Sequence, residues 1–171
     1  MKYLLPILLI SAFVFTAHAQ NNLKAGDAAP EFSVTTIDGV KLSLTQTRGK
    51  VVLLAFWSVT CANCHAEIPK LNLLADSYKG KDIVFLGATV DKSPQVTKYL
   101  KDNPFNFAIA PDSFGLMMQY GDKAKDGSLN IGYPNYYLID QKGAIVFRGS
   151  GYDKTAEIDK RIAGLLAPAK L

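Results

Sequence analysis

Apolar and polar positions along the chain predict strands that are followed by helices. Continuous apolar runs at residues 51–57 and 83–90 predict strands that are buried on both faces of a sheet. After each run, apolar residues recur every three or four positions, which is typical of an amphipathic helix. The predicted helices span residues 61–78, ended by Gly80, residues 93–100, with Ser93 as N-cap and Pro94 at the first helical position, residues 113–120 and residues 155–166.

Turn residues predict a β-hairpin near each end of the domain. A short apolar run at residues 107–110 predicts a further strand, whereas residues 121–130 are polar and contain glycine, so we expect a surface loop there. The hairpins join residues 32–36 to 40–44 around Asp38-Gly39, and residues 135–139 to 144–147 around Gln141-Lys142-Gly143. This order predicts one α/β domain with a central mixed β-sheet, flanked by helices and extended by an N-terminal β-hairpin.

The N-terminal residues carry a targeting pattern rather than a fold pattern. Lys2 precedes an apolar run at residues 3–15, and Ala17-His18-Ala19 supplies a small-x-small cleavage site. We interpret residues 1–19 as a signal peptide, residues 20–30 as a lead-in and residues 31–171 as the domain. The protein is therefore expected to be exported, and the family resemblance given below implies that its destination is the periplasm. Retention of the apolar run as an N-terminal membrane anchor is the alternative.

The composition indicates a globular protein and limits its partners. The chain has 171 residues, 49% of them hydrophobic, and a net charge of +4 that is scattered along the sequence. Such a weak charge gives no reason to expect a nucleic acid or a membrane surface as the partner. Cys61 and Cys64 are the two cysteines, so a scaffold stapled by several disulfides is excluded.

The two cysteines form a Cys-x-x-Cys motif where a buried strand leads into a helix. The helix N-terminus carries partial positive charge, which stabilises a thiolate at Cys61 and makes it a nucleophile. Cys64, three residues later, is placed to resolve the mixed disulfide that Cys61 forms with a partner. A purely structural bridge over so short a loop would constrain the unfolded chain little. The motif therefore predicts thiol–disulfide exchange.

Three segments carry a resemblance to a known family. Residues 56–69 (FWSVTCANCHAEIP), residues 26–32 (GDAAPEF) and residues 132–140 (GYPNYYLID) resemble, in this order, the active-site, N-terminal and cis-proline segments of TlpA- and ResA-like thioredoxin-fold proteins. The resemblance implies a thioredoxin fold and exchange with extracytoplasmic protein thiols and disulfides. It also implies a reductant more than an oxidant, supplied by a membrane or periplasmic electron donor. Some relatives act in cytochrome c maturation.

The same resemblance assigns the residues beside the redox pair. Pro134 is expected to be cis and to lie against the cysteines, so that the backbone of Tyr133 can pair with an extended substrate segment. Trp57 is expected to add an apolar face to this substrate-binding surface. The redox-active disulfide itself carries the electrons, so we expect no other cofactor, no metal and no haem.

Several positions depart from the family pattern. Thr60 replaces a common tryptophan, Asn63 a common proline, and Ala55 the buried aspartate of thioredoxin itself. Glu67 matches an acidic residue of the ResA-like branch and is the candidate that takes the Cys64 proton during catalysis. The alternative for Glu67 is a first-turn glutamate placed to interact with the helix dipole.

Three other functions remain open from the sequence. Cys61-x-x-Cys64-His65 also spells the attachment motif of a c-type haem, with His65 and either Met117 or Met118 as axial ligands. Domains of that kind are mainly helical, whereas apolar strand-like runs flank this motif. A thioredoxin-fold copper chaperone would use both thiolates and a histidine. A peroxiredoxin is the third alternative, because residues 26–32 resemble that family as well.

Overall fold

A computed structural model describes residues 22–167, so the predicted signal peptide lies outside the described residues. Within that range, no helix is long and apolar enough to cross a membrane. The strands are β1 Ser33–Thr35, β2 Lys41–Ser43, β3 Val51–Phe56, β4 Ile83–Ala88, β5 Ala108–Ala110, β6 Asp122–Lys123, β7 Leu129–Asn130, β8 Asn135–Ile139 and β9 Ile145–Ser150. The helices are α1 Ala62–Ser77, α2 Ser93–Leu100, α3 Phe114–Tyr120 and α4 Thr155–Leu166, with a 3-10 turn at Thr45–Thr47.

The central sheet is mixed, as predicted, and has the strand order β5-β4-β3-β8-β9. Strands β3, β4 and β5 run parallel to one another, whereas β8 is antiparallel to β3 and β9 is antiparallel to β8. Every residue of β3 is buried, because this strand is central and both of its faces are covered. The strand that leads to the cysteines is therefore buried along its whole length.

The two faces of β3 pack against different elements. Val52, Leu54 and Phe56 belong to a core that includes buried side chains of α3 and of the segment around the N-terminal hairpin. The alternate residues, among them Ala55, face a core built with α1 and α4. The N-terminal hairpin pairs β1 with β2 and the second hairpin pairs β8 with β9, so both predicted hairpins are confirmed.

Residues 121–130 differ from the prediction of a surface loop. They form a small antiparallel hairpin in which β6 pairs with β7, and its turn closes through a hydrogen bond from Ala124 N to Ser128 O of 2.8 Å. An ion pair of 2.5 Å between Asp122 and Arg148 ties β6 to β9. Strands of two residues carry too little alternation for the apolar pattern to predict them.

The start of α2 differs from the prediction by one residue. Lys92 is the N-cap, so Ser93 and Pro94 are the first two helical residues. The Ser93 hydroxyl donates to Asp112 at 2.9 Å, on the loop before α3, instead of capping its own helix. The predicted helices at residues 61–78, 113–120 and 155–166 are confirmed to within one residue at each end.

Candidate active site

The cysteines lie at the start of α1, at the carboxyl end of β3. Cys61 is the N-cap residue of the helix, and its sulfur accepts a hydrogen bond of 3.1 Å from the backbone N–H of Cys64. The two residues form a disulfide with a Cα–Cα distance of 5.2 Å. Cys61 is half-buried, whereas the Cys64 side chain is only 1% exposed. The geometry therefore offers Cys61, and not Cys64, to an approaching partner.

The surroundings of Cys61 favour a thiolate in the reduced protein. A sulfur at the N-cap faces the unpaired N–H groups of the first helical turn, whose partial positive charge stabilises an anion. The first turn of α1 carries no acidic side chain. This is the microenvironment of a reactive cysteine rather than of a quiet core thiol.

The loop before Cys61 is held by polar contacts. Cys61 N donates to Ser58 O at 3.1 Å, and Thr60 N donates to the Ser58 hydroxyl at 3.3 Å. Val59 N donates to the carboxylate of Asp91 at 2.7 Å. Sequence reasoning missed Asp91, because a residue 32 positions from Val59 carries no local signal for this contact.

The Tyr133–Pro134 peptide bond is cis, as the resemblance implied. Pro134 is buried and Tyr133 is half-buried, and both precede β8 directly. The carbonyl of Pro134 accepts a hydrogen bond of 2.8 Å from Gly151 N, whereas the backbone N–H and C=O of Tyr133 have no backbone partner within residues 22–167. Burial raises the pKa of the Tyr133 hydroxyl, and the negative charge of Asp91 raises it further.

Trp57 presents little surface to an approaching substrate, and its role in substrate binding stays a prediction. The side chain of Trp57 is 3% exposed, because the rings of Phe105 and Tyr99 cover it at centroid distances of 4.7 and 5.5 Å. The buried ring of Trp57 instead packs against these two half-buried rings and supports them. They come from α2 and the loop after it, roughly 40 residues later in the chain, which is why the sequence did not link them to the motif.

His65 is exposed near the start of α1. Its Nε2 lies 3.0 Å from the carbonyl oxygen of Val59, and its ring lies 5.0 Å from the ring of Tyr99. A carbonyl oxygen only accepts, so Nε2 carries the hydrogen in this contact. His65 thus helps to fix the loop that leads into Cys61.

Glu67 lies on the same side of α1 as Cys64 and is fully buried. Its Oε1 pairs with the Lys70 ammonium at 2.9 Å, and its Oε2 accepts from the Thr155 hydroxyl at 3.2 Å. The pKa of Lys70 is raised because its ammonium donates to Glu67 and to Asp153. Burial and the Glu67 charge both raise the pKa of Tyr136. A buried residue in the second turn does not fit the dipole-only alternative, and proton transfer from Cys64 to Glu67 stays a prediction.

Comparison with known proteins gives these features a family. The Redoxin family matches residues 24–164. The chain belongs to the redoxin family. It is 32% identical over 155 residues to the thioredoxin-like protein YneN of Bacillus subtilis (strain 168), covering 84% of this chain and 86% of that protein. It is 26% identical over 166 residues to the thiol-disulfide oxidoreductase ResA of Bacillus thuringiensis subsp. konkukian (strain 97-27), covering 93% and 91%.

The fold of this redoxin is that of solved thioredoxin-like structures. The crystal structure of a DsbE-type thiol:disulfide interchange protein from Chlorobium tepidum matches it with a TM-score of 0.75 at 27% identity, covering 85% of this chain and 100% of that one. The predicted thioredoxin fold and the resemblance to ResA-like proteins are thereby confirmed. Together with the disulfide at the start of α1, these relatives identify the redoxin as a thiol–disulfide oxidoreductase.

Two of the alternative functions, haem attachment and copper binding, can be compared with the fold. The mixed α/β fold is unlike the mainly helical domains that carry c-type haem, and the sulfurs of the haem-attachment motif are joined in a disulfide. Of the haem-ligand candidates, Met117 is buried on the α3 side of the sheet and accepts a contact of 3.3 Å from the Tyr133 hydroxyl. In the part of the chain that the structure describes, no group of three or more His, Cys, Asp and Glu residues is arranged to hold a metal ion.

Proposed function

We propose that this redoxin is an extracytoplasmic reductant that opens disulfides of exported proteins, in the setting of cytochrome c maturation. The observation that carries the proposal is the asymmetry of the redox pair, in which Cys61 is accessible at the helix start and Cys64 is buried behind it. The targeting pattern at residues 1–19 supports an extracytoplasmic location. The ResA-like resemblance supports the reducing direction.

The reaction follows from this asymmetry. The Cys61 thiolate attacks one sulfur of the partner disulfide, which forms a mixed disulfide and releases the first partner thiolate. The Cys64 thiolate then attacks the Cys61 sulfur, which releases the second partner thiolate and closes the Cys61–Cys64 disulfide. The partner gains two electrons and the redoxin loses two. A membrane or periplasmic dithiol donor must then reduce the disulfide again, so the cycle needs no organic cofactor or metal.

Glu67 is proposed to take the proton of Cys64. Cys64 reacts as a thiolate but lies in an apolar cluster with Trp57 and Ile68, where a thiol is favoured over its anion. A carboxylate one helical turn away, buried and fixed by Lys70 and Thr155, supplies a proton acceptor where bulk water is excluded.

The backbone of Tyr133 is proposed as the edge on which the partner segment lies. Its N–H and C=O are free of backbone partners within residues 22–167, and an extended peptide satisfies such groups by pairing as an added strand. Tyr133 and the half-buried ring of Tyr99 both pack against the small core that contains Cys64, which supports placing this edge near the redox pair. Because the proposed contact uses backbone groups of both chains, it can accept partners of varied sequence.

Trapping of the mixed disulfide tests the proposal. Cys64→Ser keeps the nucleophile but removes the resolving thiolate, so the variant is expected to accumulate covalent complexes with exported proteins that disappear under strong reductant. Cys61→Ser is the matched control: it makes the same change of atom at the accessible sulfur and leaves only the buried sulfur of Cys64, so it should trap far fewer partners. The measurement is non-reducing gel electrophoresis of the tagged variants from the exporting cell. Equal trapping by both variants, or none by either, contradicts the proposal.

A further inference from the structure

The peptide group of Val59 is held on both sides by side chains. Its N–H donates to Asp91 Oδ2 at 2.7 Å, and its C=O accepts from His65 Nε2 at 3.0 Å. The loop from Ser58 to Cys61 therefore has a fixed backbone on the side where a tryptophan is replaced by the exposed Thr60. These two hydrogen bonds fix the backbone two residues before Cys61 and so limit where Cys61 can lie.

Asp91 is itself held in one orientation. Its Oδ2 also accepts from the hydroxyl of Thr89 at 2.8 Å, and its N–H donates to the Thr89 oxygen at 3.1 Å. Thr89 is fully buried, at the end of β4. The neighbouring ammonium of Lys92 pairs with Asp112 at 2.9 Å instead, so it does not form the ion pair that would neutralise Asp91.

The carboxylate of Asp91 acts on the redox site from the loop between β4 and α2. Val59, Cys61 and Tyr133 all pack against the small core around Cys64. Asp91 contacts the first of them directly, and its charge raises the pKa of the hydroxyl of the third. A negative charge is therefore placed at the rim of the site, where it opposes the positive end of α1.

We propose that Asp91 is a positioning residue that fixes Cys61 through Val59, and that its charge disfavours the Cys61 thiolate. A less stable thiolate makes the reduced protein less stable relative to the disulfide, so the protein gives up its electrons more readily. The inference deepens the proposed reducing direction and rests on it. It identifies Asp91 as the group whose charge favours the reducing direction. The helix dipole acts in the opposite sense, because it stabilises the Cys61 thiolate.

Other titratable groups around Cys61 come from three elements. They are Cys64, His65 and Glu67 on α1, Tyr99 on α2, and Tyr133 before β8. Each of these residues is kept in variants of Asp91. A change in Cys61 reactivity in such variants therefore originates at Asp91 and includes the effect of its charge on the Tyr133 hydroxyl.

Substitution at Asp91 separates its charge from its hydrogen bonds. Asp91→Asn keeps an oxygen that accepts from Val59 N and the Thr89 hydroxyl but removes the charge, whereas Asp91→Ala removes both. Asp159→Asn is the matched control, because Asp159 on α4 accepts from Tyr78 at 2.7 Å at the far end of α1. At 1.5 Å rise per residue, Tyr78 lies about 21–26 Å along the helix from the cysteines. The readouts are the Cys61 thiol pKa, from the pH dependence of alkylation, and the redox equilibrium with glutathione.

Asp91→Asn is expected to lower the Cys61 thiol pKa and to shift the equilibrium with glutathione about 3- to 10-fold toward the reduced redoxin, with Asp159→Asn unchanged. Asp91→Ala should show the same shift and also a lower rate of disulfide reduction, because the Val59 N–H loses its acceptor. An Asn variant equal to the unsubstituted protein in both readouts overturns the inference. The equilibrium of the unsubstituted protein tests the reducing direction separately, since an oxidising value rejects that direction whether or not Asp91→Asn shifts it.

Discussion

Reduction of the Cys61–Cys64 disulfide perturbs the fold in a way that reports the direction of the reaction. The bridge joins residues three apart, so it closes a loop of four residues. By the loop-entropy relation, such a bridge stabilises the folded state by about 1.9 kcal/mol at 25 °C. We expect reduction to lower the free energy of unfolding by this amount if no contact in the folded protein stabilises the two free thiols.

The helix start reduces this loss, because the Cys61 thiolate gains about 0.3–1 kcal/mol at the positive end of α1. Asp91 acts in the opposite sense, and Cys64 is too deeply buried to gain solvation as an anion. We therefore expect the oxidised protein to be more stable by about 1–1.5 kcal/mol. By linkage, this difference makes the disulfide of the folded chain more reducing than that of the unfolded chain by about 20–35 mV.

Urea unfolding of the oxidised and the dithiol-reduced protein measures the difference. Trp57, the single tryptophan, is buried and reports unfolding by its fluorescence. For an m value of about 2 kcal/mol/M, the midpoint of the reduced protein should lie about 0.5–0.8 M lower. A variant with serine at both Cys61 and Cys64 is the control, since dithiol must leave its midpoint unchanged. A reduced protein with the higher midpoint refutes the reasoning and indicates an oxidant.

Three further predictions follow from single contacts. Alkylation of the reduced protein at mildly acidic pH should modify Cys61 first, and mass spectrometry identifies the modified residue. Preferential labelling of Cys64 would reverse the roles of the two cysteines. Glu67→Gln should lower reductase turnover and shift its pH profile. Glu157→Gln is the control, since it makes the same change at an exposed carboxylate on α4 and should do neither. Gly87→Ala should cost about 1–3 kcal/mol in urea unfolding, because its Cβ would lie 2.6 Å from a core side chain. Gly164→Ala is the matched control for Gly87→Ala: it lies inside a helix with open space around its Cβ and should instead stabilise by about 0.5–1 kcal/mol.

The sequence by itself determined the main strands and helices and the redox motif, but not the small hairpin of β6 and β7. The continuous apolar run of β3 requires burial on both faces, and the Asp38-Gly39 pair requires a turn, so these features depend on neighbouring residues alone. Cys61 and Cys64 share one helical turn, which makes their pairing a local property. The cis bond at Pro134 was expected from the resemblance of residues 132–140 and not from any physical pattern in the chain.

Only the tertiary structure decided which side chains surround the motif. Asp91 reaches Val59, and Phe105 covers Trp57, because β4 pairs with β3 and brings the segments that follow it to the same edge of the sheet. Thr155 reaches the buried Glu67 across 88 residues because α4 packs beside α1. The spacing of apolar residues along the chain indicates which residues are buried but not which residues they contact, since many strand orders bury the same positions. Contacts across the sheet therefore had to come from the fold.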